Sequence, residues 1–155
     1  LDDNFHLNII GGGELHNDLI QLSEKLNLSD KITFHGAKPP QFVKECLNKS
    51  DIFILPSVVD SQGDMEGIPV ALMEAMASGL VVVSTYHSGI PELIENGISG
   101  FLVPERDPEA IAIAINNATN SDALNDVVKE ARKKVENEFN SLKLGKELST
   151  LLNKQ

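Results

Sequence analysis

Two carboxylates with seven residues between them stand out in the sequence, in Glu66-Gly-Ile-Pro-Val-Ala-Leu-Met-Glu74. The stretch combines a loop acid, a glycine, a proline suited to the first helical position, and a second acid inside the helix that follows. Free N–H groups in the first turn of a helix, with a macrodipole worth about half a unit charge, bind anions, and Gly67 lets a ligand come close to the backbone. A diphosphate is the ligand this chemistry favours. Glu66 would then lie beside the anion. Glu74, about 1.5 Å per residue further along the helix, would reach a hydroxyl-bearing group, for which a carboxylate is a good acceptor. The same pattern also fits an acidic first turn followed by a solvated helix face, so spacing alone leaves both readings open.

Other candidate groups carry less. His6, His16, His35 and His87 show no metal-ligand spacing, and Cys46 is the single cysteine, so neither an internal disulfide nor a thiolate metal cluster can form. That cysteine usage fits a reducing, cytoplasmic compartment. Met73 and Met76, at helical spacing, read as core filler.

The elements that must position these residues alternate. Phe5–Ile10 reads as a strand that ends in Gly11-Gly12-Gly13, and Leu15, Leu19, Leu22 and Leu26 recur at helical spacing. Lys31–Gly36 is a second strand, and Pro39-Pro40 opens a helix through Leu47. Asp51–Pro56 and Leu80–Ser84 are unbroken apolar runs of the kind found in parallel strands covered on both faces. Between them Pro69 starts a helix for which Gly79 is a natural C′ residue. A short helix over Gly89–Ile94, a strand over Gly100–Val103, and a helix capped by Asp107-Pro108 and running through Asn116 come next. Two more helices follow, one with Leu124 to Phe139 on its apolar face and one starting near Ser141. Such alternation predicts an α/β fold with a doubly wound, mostly parallel sheet. Ligands then bind at the carboxyl ends of the strands, where 11–13, 36–39, 56–67 and 85–89 gather.

With 155 residues the chain is expected to form one domain, 1–155. A 41% apolar and 23% charged composition argues against disorder, and no apolar run approaches the roughly 20 residues that cross a bilayer. The net charge of −10 gives a field that repels nucleic acid and anionic lipid, so an anionic ligand must be held by local geometry. Leu1-Asp2-Asp3-Asn4 has neither Met nor a basic n-region, and the apolar stretch after it is too short for a signal core. The chain therefore reads as a piece of a longer protein.

From Ile9 to Pro108 the sequence resembles the donor-binding C-terminal domain of retaining GT-B glycosyltransferases of the glycosyltransferase-4 type. The matching pieces are Ile10-Gly-Gly-Gly13, Phe34-His-Gly36, Asp51-Ile-Phe-Ile-Leu-Pro-Ser57, Glu66-Gly67, Glu74-Ala-Met-Ala-Ser-Gly79, Gly89-Ile-Pro-Glu92 and Gly100-Phe-Leu-Val103. The wording from Glu66 to Pro108 is similar to colanic-acid and other extracellular-polysaccharide members. The resemblance implies transfer of a sugar from a UDP- or GDP-sugar, with retention, to a glycan or lipid-linked acceptor. Glu66 would contact hydroxyls of the transferred sugar and Glu74 the ribose. Gly67, Ile68 and Pro69 would line the sugar and diphosphate, although Pro69 has no N–H to give. Gly13 and the loop from His35 to Lys38 would border the nucleoside, Lys38 being either a phosphate partner or a solvated loop lysine. The donor phosphate would take the acceptor proton, leaving positioning and electrostatic stabilisation as the protein's part.

Neither metal nor other cofactor is implied. Asp64-Met65-Glu66 is the nearest approach to a metal-chelating Asp-x-Asp, and Asp60 and Asp64 read as a solvated acidic loop, with weak binding of Mg²⁺ or Ca²⁺ the lesser alternative. His87, in a loop on the ligand side with Ser84, Thr85 and Ser88, is a further candidate for sugar contact, whereas Glu92 reads as a brace of its short helix.

Complete members of the resembled family carry an acceptor domain and a diphosphate-gripping Arg and Lys ahead of this region. The isolated chain is accordingly expected to be inactive, with any peripheral membrane contact belonging to the longer protein at the inner face of the cytoplasmic membrane. The family's first strand would lie between Phe5–Ile10 and Asp51–Leu55, so a gap or an altered sheet is expected there. A non-hydrolysing sugar-nucleotide epimerase and a non-catalytic nucleotide-sugar-binding or regulatory module are the competing readings.

Overall fold

The computed structural model of the chain describes residues 5–59, 63, 67–120 and 124–153. It divides into two compact units, Leu1–Lys49 and Ser50–Gln155. In the first, strand β1 (Leu7–Ile10) pairs in parallel with β2 (Ile32–Gly36), with helix α1 (His16–Lys25) between them in sequence and α2 (Pro40–Leu47) after. The apolar spacing of 15–26 does give a helix, and Asn27 ends it at φ 56, a left-handed turn that asparagine tolerates. α1 packs on β2, where His16 meets Phe34 edge-on at 5.8 Å. Two strands and two helices enclose little volume, however. Leu47 and Ser23 are the buried residues of this unit among those described, and the stripe Leu15, Leu19, Leu22 and Leu26 stays 41–66% exposed.

The second unit holds the core. Its strands β3 (Ile52–Leu55), β4 (Val81–Thr85) and β5 (Phe101–Val103) lie in that order and are all parallel. Helix α5 (Pro108–Asn120) covers one face, packing Ala110, Ile111, Ala114 and Ile115 on Val83, Val103, Ile52, Ile54 and Phe101. Helices α3 (Val70–Ser78) and α6 (Leu124–Glu138) also pack on β4, which leaves none of Val81–Thr85 exposed. A short α4 (Ile90–Leu93) and a terminal α7 (Ser141–Leu152) complete the unit. Asp107 caps α5 as its sequence predicts, its Oδ1 accepting from Ala110 N–H at 2.9 Å, and α5 runs on to Asn120 rather than ending at Asn116.

Alternating parallel strands and helices bear out the expected α/β fold. The described strands form two sheets, β1-β2 and β3-β4-β5; β1 and β3, between which a gap or an altered sheet is expected, are both sheet edges and do not pair with each other. The apolar run of β3 is half-buried although α5 and α3 both pack on it, because as an edge strand it has a hydrogen-bonded neighbour on one side only. Glu92 is exposed in the first turn of α4 and makes no side-chain cap.

Candidate functional site

In the Ser50–Gln155 unit the site is built around the entrance to α3. Pro69 is buried and sits at the helix start with extended angles, φ −66 and ψ 127, so the chain turns abruptly into the helix. Leu72 N–H is taken by Pro69 O at 3.1 Å, whereas the N–H groups of Ile68, Val70 and Ala71 take no acceptor among the described residues. Gly67, Val70 and Ala71 are exposed residues, and the positive end of the helix dipole lies at this turn. At its far end α3 stops at Gly79, φ 86, where Leu80 N–H bonds Ala75 O at 3.1 Å and Gly79 N–H bonds Met76 O at 3.2 Å. Leu72, Ala75 and Met76 are fully buried and hold the helix down, leaving Glu74 on its solvent face.

The approach to α3 rests on the loop after β4. A Cβ placed on Gly89 would come 2.9 Å from Cγ1 of Ile68, closer than packed carbons tolerate, so the bare glycine is what admits the Ile68 side chain. Serine and threonine at the end of β4 reach across to the chain leaving β3. Ser84 Oγ donates to Leu55 O at 2.6 Å, and Thr85 Oγ1 donates to Ser57 O at 2.5 Å. Beside them His87 is buried, its Nδ1 2.7 Å from Oε1 of Glu105, while Glu105 Oε2 accepts from Val59 N–H at 3.0 Å. The His87 bond first, and the Val59 bond second, hold the Glu105 carboxyl below its ordinary value of 4.5, against a smaller opposing effect of burial. Burial turns His87 inward, so it does not present itself for the sugar contact its loop position suggests.

In the Leu1–Lys49 unit the glycine loop and the loop after β2 come together. Gly11 N–H bonds Gly36 O at 3.0 Å, and a Cβ on Gly12 would meet Ala37 N at 4.0 Å. Gly13 is exposed. His35 is tied back to the sheet by Nε2 to Asn8 Oδ1 at 2.9 Å and leans on Phe42, with ring centres 5.1 Å apart. Lys38 is exposed and lies over the same Phe42 ring, 5.3 Å from its centre.

Each unit thus brings its own candidates together, Gly13 with His35 and Lys38 in one, Gly67, Ile68, Pro69 and Glu74 in the other. Glu66, Asp60 and Asp64 lie outside the described residues. Among those described, no three His, Cys, Asp or Glu side chains group as metal ligands, and no helix is long and apolar enough to cross a membrane. Sequence reasoning missed Glu105 and Arg106. Their signal was a charged pair directly after a strand on the ligand side, in Pro104-Glu-Arg-Asp107.

Parallel strands alternating with helices make an α/β architecture of the GT-B kind. A solved structure with the same fold is HepE of Anabaena in complex with UDP-glucose, with a TM-score of 0.84 over 99% of this chain and 42% of that one at 20% identity. The sequence profile of the family described as glycosyl transferases group 1 matches residues 1–135, and the chain belongs to that family. WcaL of Escherichia coli K12, named as a glycosyltransferase of colanic acid biosynthesis, is 50% identical over 150 residues, which cover 96% of this chain and 37% of WcaL. The amylovoran biosynthesis glycosyltransferase AmsK of Erwinia amylovora is 47% identical over 149 residues, again 96% of this chain and 37% of the relative. The chain therefore spans little more than a third of the length of these relatives.

Proposed function

We propose that this chain is the donor-binding part of a retaining glycosyltransferase that moves a sugar from a nucleotide diphosphate sugar to a glycan or lipid-linked acceptor. The observation that carries the reading is the entrance of α3, where the N–H groups of Ile68, Val70 and Ala71 take no acceptor among the described residues, next to the exposed Gly67. A diphosphate satisfies those donors and is the anion whose charge the helix dipole opposes. Glu74, on the solvent face of α3, holds the ribose, and Glu66 contacts the transferred sugar. Gly13, His35 and Lys38 border the nucleoside. The reaction needs no protein base: the leaving phosphate oxygen takes the proton of the acceptor hydroxyl as the new glycosidic bond forms, and the free N–H groups offset the charge that develops on the diphosphate.

Relatives and structural neighbours support this choice of donor. HepE was crystallised with UDP-glucose and the pneumococcal GtfA with UDP and GlcNAc, and the 32% identical Escherichia coli relative is named a UDP-Gal-dependent galactosyltransferase. A more distant relative from Mycobacterium tuberculosis is named GDP-mannose-dependent, so GDP stands beside UDP as a donor base to be tested.

Calorimetric titration of the chain with UDP, GDP and their common sugar conjugates tests the reading. Glu74→Ala should weaken every nucleotide at least tenfold. Glu66→Ala should leave UDP or GDP within about twofold while erasing the preference for the sugar conjugate. Normal binding by both variants would show that the two glutamates are wrongly assigned.

A further inference from the structure

Tyr86 is the chain's one tyrosine, and it is 52% exposed where every phenylalanine is half-buried. It does not stand on a loose loop tip. Tyr86 N–H donates to Val103 O at 2.9 Å, at the end of β5, and the next residue, His87, is 1% exposed. His87 Nδ1 lies 2.7 Å from Oε1 of Glu105, and the exposed Arg106 follows Glu105. The buried histidine and its carboxylate thus hold together the two turns that carry Tyr86 and Arg106, at the carboxyl ends of β4 and β5. Both turns are strained. Asn27, Ser88 and Arg106 are the described non-glycine residues in the left-handed region, and two of them, Ser88 at φ 44 and Arg106 at φ 59, fall here. Glycine adopts such angles at no steric cost, and residues with side chains persist in them chiefly where a site demands it. Arg106 is also the sole Lys or Arg between Lys49 and Lys129. Its Nη2 donates to Val59 O at 2.8 Å, which uses one of the five N–H donors of a guanidinium, a group whose fork pairs with a carboxylate. A singly charged anion suits this arginine. Glu105 and Asp107 flank it, and Glu105, held below 4.5 by His87 first and Val59 second, is ionised at neutral pH, so a doubly charged phosphate meets more repulsion there. Gly89, three residues after Tyr86 and so within about 11 Å of it along the chain, is where this loop rests on Ile68 at the entrance of α3.

We propose that Tyr86 and Arg106 form a binding site for a sugar that bears a carboxylate, a uronic acid unit of the acceptor glycan. The apolar C–H face of the sugar ring lies on the Tyr86 ring, and the carboxylate pairs with Arg106. His87 and Glu105 do not touch the sugar; they set the spacing of the two turns. That the sugar belongs to the acceptor rests on the function proposed above, whereas the site itself does not.

Because the chain has a single tyrosine, the ring signals of 13C-tyrosine-labelled chain report Tyr86 alone. Methyl glucuronide, added without nucleotide, should shift them and bind at least fivefold tighter than methyl glucoside or glucose 6-phosphate. Arg106→Gly should bring the glucuronide to within twofold of the glucoside; glycine accepts φ 59 without strain, and backbone amide spectra check that the variant stays folded. Tyr86→Leu, followed through the amides of Ser88 and Gly89, should weaken glucuronide and glucoside alike by at least fivefold, while Tyr86→Phe stays within twofold because the ring carries the contact. Tyr86 signals left unmoved by the glucuronide overturn the site. A glucuronide preference that survives Arg106→Gly overturns the role of Arg106, and glucose 6-phosphate bound as tightly as the glucuronide overturns the carboxylate as its ligand. UDP and GDP are titrated separately. If neither binds while the glucuronide does, the donor-site reading fails and the saccharide site stands. If one binds, its affinity should stay within twofold when glucuronide is present, and competition between them overturns the acceptor assignment, since donor and acceptor must be held together.

Discussion

Strands β1 and β4 both run into loops to which ligand binding is assigned, but the molecule secures those loops in different ways. β4 is central in its sheet, buried along its whole length, and its last residues, Ser84 and Thr85, fasten the neighbouring strand's exit with buried hydroxyls. β1 is an edge strand, half-buried, and the loop after it is held by the backbone bond from Gly11 to Gly36. The difference teaches that the loops around β4 in the Ser50–Gln155 unit are preorganised by packing, whereas the glycine loop of the Leu1–Lys49 unit belongs to a small unit with little core of its own. Preorganisation matters most where charge develops during a reaction, and the function proposed above puts that charge at the entrance of α3.

Core substitutions should expose the contrast most strongly. Leu72→Ala, at a site with no exposure, should cost about 2–5 kcal/mol in urea unfolding, while Leu22→Ala on the exposed stripe of α1 should stay within about 0.5 kcal/mol. Comparable losses at the two sites would erase the distinction between the units. Glycines should repeat it on a smaller scale. A Cβ at Gly100 would lie 2.6 Å from Val82 Cγ2 and 3.0 Å from Val82 O, so Gly100→Ala should destabilise by about 1–3 kcal/mol; nothing lies within 4 Å of a Cβ at Gly13, and Gly13→Ala should be near neutral in the same assay.

Acid provides the smallest and most local test. The Glu105 carboxyl titrates below its ordinary 4.5 in the folded chain because His87 and Val59 bond its charged form. A depressed folded value means that its contribution to stability is fully present above pH 4.5 and is lost as the pH falls through the lower folded value. The stability gap between wild type and Glu105→Gln, measured by chemical unfolding, should therefore be constant well above pH 4.5 and shrink as the pH falls below it. A gap that does not shrink on acidification would show that the carboxylate charge contributes nothing through the bonds with His87 and Val59.

Much of this architecture was legible in the sequence, because local signals decided it. Proline at a helix start, glycine at its C′ position and aspartate before Pro108 mark the ends of α3 and α5, and alternating apolar runs announce parallel strands. The separation into two sheets was legible only as an expected gap, since pairing between strands is not a local property. Ile52–Leu55 and Val81–Thr85 read alike as apolar runs, yet one is an edge and the other a centre. The start of α3 was likewise readable from Pro69. The bonds that Glu105 makes to Val59 and His87 were not, because these residues are joined only through the ends of β3, β4 and β5, and a charged pair in a turn resembles any solvated loop.

The central claim is that the free N–H groups at the entrance of α3 receive the donor's diphosphate. Titrating 15N-labelled chain with UDP and GDP, then with their sugar conjugates, and following backbone amide resonances tests it directly. Those of Ile68, Val70 and Ala71 should move the most in the Ser50–Gln155 unit and should move equally in Glu66→Ala. A nucleotide that binds while leaving these three amides in place would contradict the account.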